Sequence, residues 1–172
     1  MRLLTYTNLY PSVDRPRHGI FVEERLRLLA DTDCVDAEVI ALRPCSPFAS
    51  RHTSGDVGYG SEEMRHGIRV KYLGVPTLPL VSNWIDPLLW ARASRDISSE
   101  FVDGSRDQTI LDAHYLYPDG VAAVLLGRRL GIPVVMTARG SDVNIKCENP
   151  VMRRWVQWAA EQCAAIITVS EA

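Results

Sequence analysis

The sequence lacks several features that mark common classes of function. It has no excess of basic residues: 19 Lys and Arg stand against 21 Asp and Glu, for a formal net charge of -2. Binding to a phosphate backbone needs such an excess, so no nucleic-acid partner is expected. Neither GxGxxG nor GxxxxGK[ST] occurs, so neither a dinucleotide fingerprint nor a P-loop is present.

Paired cysteines and long apolar runs are also missing. The four cysteines are far apart and form no CxxC pair and no ligand-spaced cluster with the four histidines. We therefore expect reduced thiols, no metal site and a cytoplasmic protein. The sequence contains no run of about 18 apolar residues, the length that a membrane-spanning helix needs. The N-terminus turns polar after two leucines, unlike a signal peptide.

What the sequence does contain is the composition of one globular domain, with 47% hydrophobic and 23% charged residues among 172. Short apolar runs alternate with helical patterns. We predict strands at residues 3–6, 37–42, 68–73, 109–113, 132–137 and 165–169, and helices at residues 20–30, 86–103, 120–130 and 150–163, with a surface loop at 46–67. This order predicts an α/β fold with a doubly wound, mostly parallel, Rossmann-like sheet.

The helix at residues 86–103 is predicted from its first turn and its apolar spacing. Asp86 fits an N-cap followed by proline, and one buried face is expected to carry Leu89, Ala93, Ile97 and Phe101. The preceding stretch, residues 78–90, is more apolar than a connection needs. It could contact an apolar acceptor tail or a membrane surface, or pack in the core, which is also the interpretation for the tryptophans of the last helix.

Candidate functional residues follow the ends of predicted strands, where parallel α/β sheets bind ligands. His114 directly follows one predicted strand, beside a helix N-terminus, and Arg139, Ser141 and Asp142 follow another. Such a group can hold hydroxyls or an anion, although a structural histidine and a polar turn capped by Asp142 or Asn144, with Arg139 solvated, would give the same pattern. Gly19 could let the backbone approach a phosphate, or simply form a turn. We expect all of these residues to line one cleft.

Taken in order, these segments resemble the N-terminal domain of retaining GT-B glycosyltransferases of family 4. The matching pieces are NLYP at residues 8–11 with GIFV at 19–22, DAHY at 112–115 with YPDG at 117–120, TARGSD at 137–142, and TVSE at 168–171. The match covers nearly the whole chain. It departs from the family at Asp112 and Arg139, where members commonly have histidine.

The resemblance implies a function and roles for individual residues. This lobe would bind the acceptor, which is a glycan, a lipid-linked sugar or a small molecule, and a second domain, absent from this chain, would bind the nucleotide-sugar donor. His114 would be catalytic and Gly19 would bind the donor. Acceptor-binding residues would be Tyr115, Arg139, Ser141 and Asp142. Retention by front-face attack, assisted by the leaving phosphate, would need neither a metal nor another cofactor, and the chain alone would be inactive.

Two other functions fit the same pattern. A sugar-nucleotide epimerase could use the same two-lobed scaffold, and a stand-alone flavodoxin-like binding module would be complete at this length. Soaking with nucleotide sugars separates them, because a complete module should bind a ligand tightly by itself and one lobe of an enzyme should not. A peripheral contact with the inner face of a membrane is also compatible with the sequence.

Overall fold

The computed structural model describes residues 1–32, 34–45, 60–77 and 84–169. Within these ranges seven strands form one sheet in the order β3-β4-β2-β1-β5-β6-β7. The strands are β1 (Arg2–Thr7), β2 (Asp36–Cys45), β3 (Glu62–Arg65), β4 (Ile68–Pro76), β5 (Thr109–His114), β6 (Val134–Ala138) and β7 (Ala165–Thr168). All neighbours pair in parallel except the antiparallel pair β3 and β4. The predicted α/β fold with a mostly parallel, Rossmann-like sheet is confirmed.

Helices cover both faces of this sheet. They are α1 (Ile20–Ala30), α2 (Asp86–Ala93), α3 (Arg95–Val102), α4 (Val121–Leu130), α5 (Ser141–Asn144) and α6 (Pro150–Gln162). Successive strand residues point to opposite faces, so Leu3 packs with Val22 and Leu26 of α1 in one core. Leu4 packs in a second core, which contains side chains of α2, α3, α4 and α6. The sheet is therefore doubly wound.

The strand order creates a crevice between β1 and β5. From β1 the chain builds outward through β2 and β4 on one side of the sheet, and it then returns to build β5, β6 and β7 on the other side. At such a switch point the connections after two adjacent parallel strands diverge, which opens a crevice at their carboxyl ends. The segments that follow β1 and β5 therefore flank the expected ligand site.

The prediction of a surface loop over residues 46–67 is wrong in its C-terminal part. Residues 46–59 lie outside the described residues, but Glu62–Arg65 form β3, an edge strand joined to β4 by a two-residue turn at His66 and Gly67. Both turn residues have positive φ, 50° and 80°, as the tight turns between antiparallel strands require. Because β3 is polar, no apolar pattern marked it.

The single helix predicted at residues 86–103 is two helices, α2 and α3, which meet at Ser94. The buried face is also shifted from the predicted one: Ala93 is exposed, whereas Trp90, Ser94, Ser98 and Phe101 are buried. The hydroxyl of Ser94 donates to the carbonyl of Trp90 at 2.8 Å and lies 3.0 Å from the hydroxyl of Tyr6. Asp86 is the first helical residue rather than the N-cap, which is Ile85.

The apolar stretch before α2 is only partly in the core. Residues 78–83 lie outside the described residues. Trp90 is buried, as core packing requires, but Trp84, Ile85 and Leu88 are exposed. Trp155 and Trp158 of α6 pack edge to face, with ring centroids 5.7 Å apart, against the second core, which confirms the packing interpretation for that pair.

Candidate active site

His114 is the last residue of β5, and its side chain is completely buried at the carboxyl edge of the sheet. Asp112 lies two residues earlier, so both side chains point to the same face of the strand. Nε2 of His114 lies 3.1 Å from Oδ2 of Asp112, and Nδ1 lies 3.0 Å from Nη2 of Arg139. Two of the candidate residues, His114 and Arg139, are therefore in direct contact.

A second arginine, Arg25 of α1, completes this cluster. Its Nη1 donates to Oδ2 of Asp112 at 2.6 Å and lies 3.0 Å from Nε2 of His114. We call Arg25, Asp112, His114 and Arg139 the His114 network. Sequence reasoning missed Arg25, which is separated from Asp112 by 87 residues and lies in mid-helix rather than after a strand.

The hydrogen bonds of the network determine the state of the imidazole. Arginine is always a donor, so Nδ1 of His114 must accept from Arg139 and cannot carry a proton. Nε2 must then carry the proton and donate to Asp112. Arg25 donates to the same carboxylate oxygen, so Nη1 of Arg25 and Nε2 of His114 are two donors that converge on Oδ2 of Asp112 and are not hydrogen-bonded to each other. The imidazole is therefore neutral, and both of its nitrogens are engaged within the protein.

The electrostatics agree with this assignment. Burial lowers the pKa of His114, and the charges of Arg25 and Arg139 lower it further against the opposing effect of Asp112. Burial would raise the pKa of Asp112, but the hydrogen bond from His114 and the charge of Arg25 outweigh it and hold that pKa below its ordinary value. The network therefore contains a carboxylate, a neutral imidazole and two guanidinium cations.

A neutral buried imidazole predicts how stability depends on pH. The lowered pKa of His114 means that the unfolded chain takes up a proton at a higher pH than the folded chain. The contribution of neutral His114 to the free energy of unfolding is therefore fully present above the ordinary histidine pKa. It is lost as the pH decreases below about 6.5, by at most about 1.4 kcal/mol per pH unit. We expect urea unfolding between about pH 8 and about pH 5 to show this decline. His114→Gln, which can still accept from Arg139 and donate to Asp112, should flatten it; an equally steep decline in the variant would contradict the assignment.

Arg139 follows β6 and turns back over the network. Its guanidinium stacks on the ring of Phe21 at 4.3 Å from the centroid, near the start of α1. It is therefore not the solvated side chain of an ordinary polar turn. Burial lowers the pKa of Arg139, followed by the charge of Arg25, but the group stays cationic. Its Nε is buried without a hydrogen-bond partner among the described residues.

Asp142 shapes the turn in which Arg139 lies. The carboxylate is completely buried and accepts from the backbone N–H of Leu116 at 2.7 Å and that of Arg139 at 2.9 Å. It thus joins the turn after β6 to the turn after β5. Its hydrogen bond to the N–H of Arg139 agrees with the interpretation of Asp142 as a residue that caps its own turn. These contacts give Asp142 a structural task, and its contact with an acceptor stays a prediction.

Tyr115 and Ser141 join the same two turns through their side chains, because the two hydroxyls are hydrogen-bonded. Tyr115 has a φ of 86°, which is rare for a residue with a side chain. Its backbone is fixed by hydrogen bonds with the carbonyl of Thr137 at 3.1 Å and the N–H of Gly120 at 2.9 Å. Strained residues held this firmly are concentrated at functional sites.

Gly19 lies in the loop between β1 and α1, and it also has a positive φ, 70°. A Cβ at this position would lie 2.2 Å from the carbonyl oxygen of Leu9. The close approach of these two backbone segments therefore explains the glycine without a ligand. The role of Gly19 in binding the donor stays a prediction.

A pocket of about 340 Å³ opens at the switch point, and we call it the switch-point pocket. It is lined by Asn8, Leu9, Arg15, His18, Leu42, Arg43, Pro44, Tyr115, Tyr117, Pro118 and Lys146. Of the candidate residues, only Tyr115 lines it. Asn8 and Leu9 belong to the NLYP segment at residues 8–11, which the sequence analysis identified. Arg43 and Lys146 belong to no recognised motif, and only the fold places them at the pocket.

The described part of the chain contains neither a group of three or more His, Cys, Asp or Glu side chains arranged to hold a metal ion nor a helix long and apolar enough to cross a membrane. The four cysteines are all free. The expectations that the protein uses no metal and lies in the cytoplasm stay predictions.

Comparisons with known proteins give a consistent result. A putative teichuronic acid biosynthesis glycosyltransferase, TuaC, of Bacillus subtilis (strain 168) is 29% identical over 150 residues, which is 84% of this chain. The chain spans only 38% of the length of that relative. The sequence pattern that defines Glycosyltransferase Family 4 matches residues 19–172. The match covers most of the chain, including α1, β5 and the turn after β6, so the chain belongs to Glycosyltransferase Family 4.

Proposed function

We propose that the chain is the acceptor-side lobe of a retaining glycosyltransferase. The enzyme moves a sugar from a nucleotide-sugar donor to a hydroxyl of a glycan, a lipid-linked sugar or a small molecule. Family membership and the Rossmann-like fold support this function, and the name of the relative supports a part in polysaccharide synthesis. Because the chain spans 38% of that relative, we propose that a second domain binds the donor.

The observation that carries the proposal is the His114 network at the carboxyl edge of the sheet. A guanidinium held by a buried imidazole at 3.0 Å and by the ring of Phe21 is a fixed positive charge. Preorganised charges of this kind stabilise negative charge that develops in a transition state. Since both nitrogens of His114 are engaged, we assign to His114 the positioning of Arg139 rather than direct proton transfer.

The reaction requires little covalent chemistry from the protein. The acceptor oxygen bonds to the anomeric carbon on the face that the diphosphate leaves, the bond from that carbon to the diphosphate oxygen breaks, and the proton of the acceptor hydroxyl passes to the departing phosphate. This course needs no metal and no protein nucleophile. The task left to the lobe is to orient the acceptor and to balance charge on the leaving group, which we assign to Tyr115, Ser141 and Arg139.

A peripheral membrane contact stays part of the proposal. The exposed side chains of Trp84, Ile85 and Leu88 form an apolar group at the start of α2. Arg92, Arg95 and Arg129 line a neighbouring pocket together with Leu88. Apolar side chains bordered by arginines suit the inner face of a membrane with anionic lipids.

Sugar transfer by two forms of the protein tests the proposed function. We expect the 172-residue chain to transfer no sugar above a boiled control, because the donor diphosphate is held mainly by the second lobe. A longer protein that carries this lobe and a second α/β domain should release nucleoside diphosphate and yield a product with the donor's anomeric configuration. Turnover by the chain alone would contradict the assignment of donor binding to a second lobe. A product with inverted anomeric configuration would contradict retention.

A further inference from the structure

The switch-point pocket has the size and the lining of a site for a small ligand. Its volume of about 340 Å³ lies near the lower end of the range for ligand pockets, so one sugar unit is a suitable occupant. Tyr115 and Leu9 line the pocket and are partly exposed, whereas Tyr117 and Leu42 also line it but are almost completely buried. Aromatic and aliphatic walls of this kind pack against the C–H faces of a sugar ring.

The polar part of the lining is positively charged. Arg15, Arg43 and Lys146 contribute three cations to the pocket. Arg43 and Arg15 share one carboxylate, Asp14, with N–O distances of 3.2 and 3.7 Å. Lys146 has no ion pair within the described residues. One carboxylate for three cations leaves an excess of positive charge in a chain whose formal net charge is -2.

The buried carboxylates near the pocket do not remove this excess. Asp119 is completely buried and accepts a hydrogen bond from the backbone N–H of Asn8, and burial raises its pKa well above its usual range although Lys146 lies nearby. Asp142 is completely buried and accepts hydrogen bonds from backbone N–H groups of the turns. Neither carboxylate forms an ion pair with a cation of the pocket within the described residues, so Lys146 is available to an anion from outside.

We propose that the switch-point pocket binds an acceptor sugar that carries an anionic group, a carboxylate or a phosphate. The inference rests on the proposed transferase function and specifies its acceptor class. The sugar ring packs against Tyr115 and Leu9, and the anionic group lies between Arg43 and Lys146, with Arg15 at the rim. Both Nη atoms of Arg43 already donate to the carboxylate of Asp14, at 3.4 and 3.2 Å, so Arg43 contributes positive charge and Lys146 contributes the direct ion pair to the ligand.

Titrations of the 172-residue chain with matched sugars test the site. The probes are glucuronate, glucose-6-phosphate, glucose and inorganic phosphate, followed by two-dimensional amide NMR at low salt. We expect the two anionic sugars to shift the amides of Asn8, Arg43, Tyr115 and Lys146 and to bind about tenfold more tightly than glucose. Their relative affinities distinguish a carboxylate ligand from a phosphate ligand. Equal binding of glucose would overturn the charge assignment, and inorganic phosphate binding as tightly as the sugars would overturn the sugar assignment.

A pair of loop arginines provides a matched control. Arg15 and Arg17 are both exposed and two residues apart, but only Arg15 lines the pocket. We expect Arg15→Gln combined with Lys146→Gln to weaken glucuronate binding by about tenfold or more, and Arg17→Gln to leave it unchanged. Equal effects of Arg15→Gln and Arg17→Gln, each measured alone, would indicate general electrostatic attraction and would overturn the assigned site.

The failure of this inference differs from the failure of the proposed function. A longer, two-domain protein that transfers sugar equally well to neutral and acidic acceptors would overturn the anionic-acceptor assignment and leave the transferase function intact. A protein whose pocket binds glucuronate, but which transfers sugar to no acceptor, would leave the binding site intact and contradict the transferase function.

Discussion

Replacing Arg139 by alanine in a two-domain form of the protein is expected to lower kcat by about a hundredfold to a thousandfold, the loss typical of one preorganised charge-stabilising group. His114→Gln should lower kcat less, because glutamine can still accept from Arg139 but holds it less rigidly than the buried ring at 3.0 Å. KM for the acceptor should change little in both variants, since the interaction is made mainly in the transition state.

The double variant distinguishes a positioning role from a direct one. If His114 acts through Arg139, Arg139→Ala combined with His114→Gln should lose no more activity than Arg139→Ala alone. Losses that multiply would show that His114 has a separate task. Arg128→Ala is the control, because Arg128 is an exposed arginine on α4 that contacts Gln162 at 3.0 Å, and it should keep full activity. Melting temperatures of all variants show whether lost activity reflects lost fold.

Much of the fold could be predicted because its apolar pattern is regular. Val22 and Leu26 repeat at helical spacing, and strands such as β6 are apolar on both faces, which identifies a parallel sheet covered by helices. The errors occur where buried or ordered residues are polar. Ser94 and Ser98 are completely buried in the face shared by α2 and α3, and polar side chains dominate β3, so an apolar pattern could reveal neither.

The candidate site could be predicted only in part, for a topological reason. His114 and Arg139 follow strands, so the rule that ligands bind at the carboxyl ends of parallel strands identified them, and the structure places them in contact. Arg25 joins them from the middle of a helix, and Lys146 reaches the pocket from a segment that follows α5. Their positions depend on long-range packing, which no local pattern encodes.

Gly19 offers the largest expected effect on stability. Alanine at this position would have to adopt a φ of 70°, which costs about 1–2 kcal/mol for a residue with a Cβ. Its Cβ would also lie 2.2 Å from the carbonyl oxygen of Leu9, a contact that only a backbone shift can relieve. We expect Gly19→Ala to lower the free energy of unfolding by about 2–5 kcal/mol, the sum of a conformational cost of about 1–2 kcal/mol and a steric cost of about 1–3 kcal/mol.

Gly104 provides the matched control, because it has nearly the same φ, 76°, but a Cβ there would meet no atom within 4 Å. Gly104→Ala should therefore cost only the conformational part, about 1–2 kcal/mol. Urea unfolding followed by tryptophan fluorescence measures both variants in the 172-residue chain. The difference between the two losses isolates the close approach of Leu9 to Gly19. Equal losses would mean that the loop after β1 can move aside at little cost, and the space beside Gly19 would then be available to a phosphate after all.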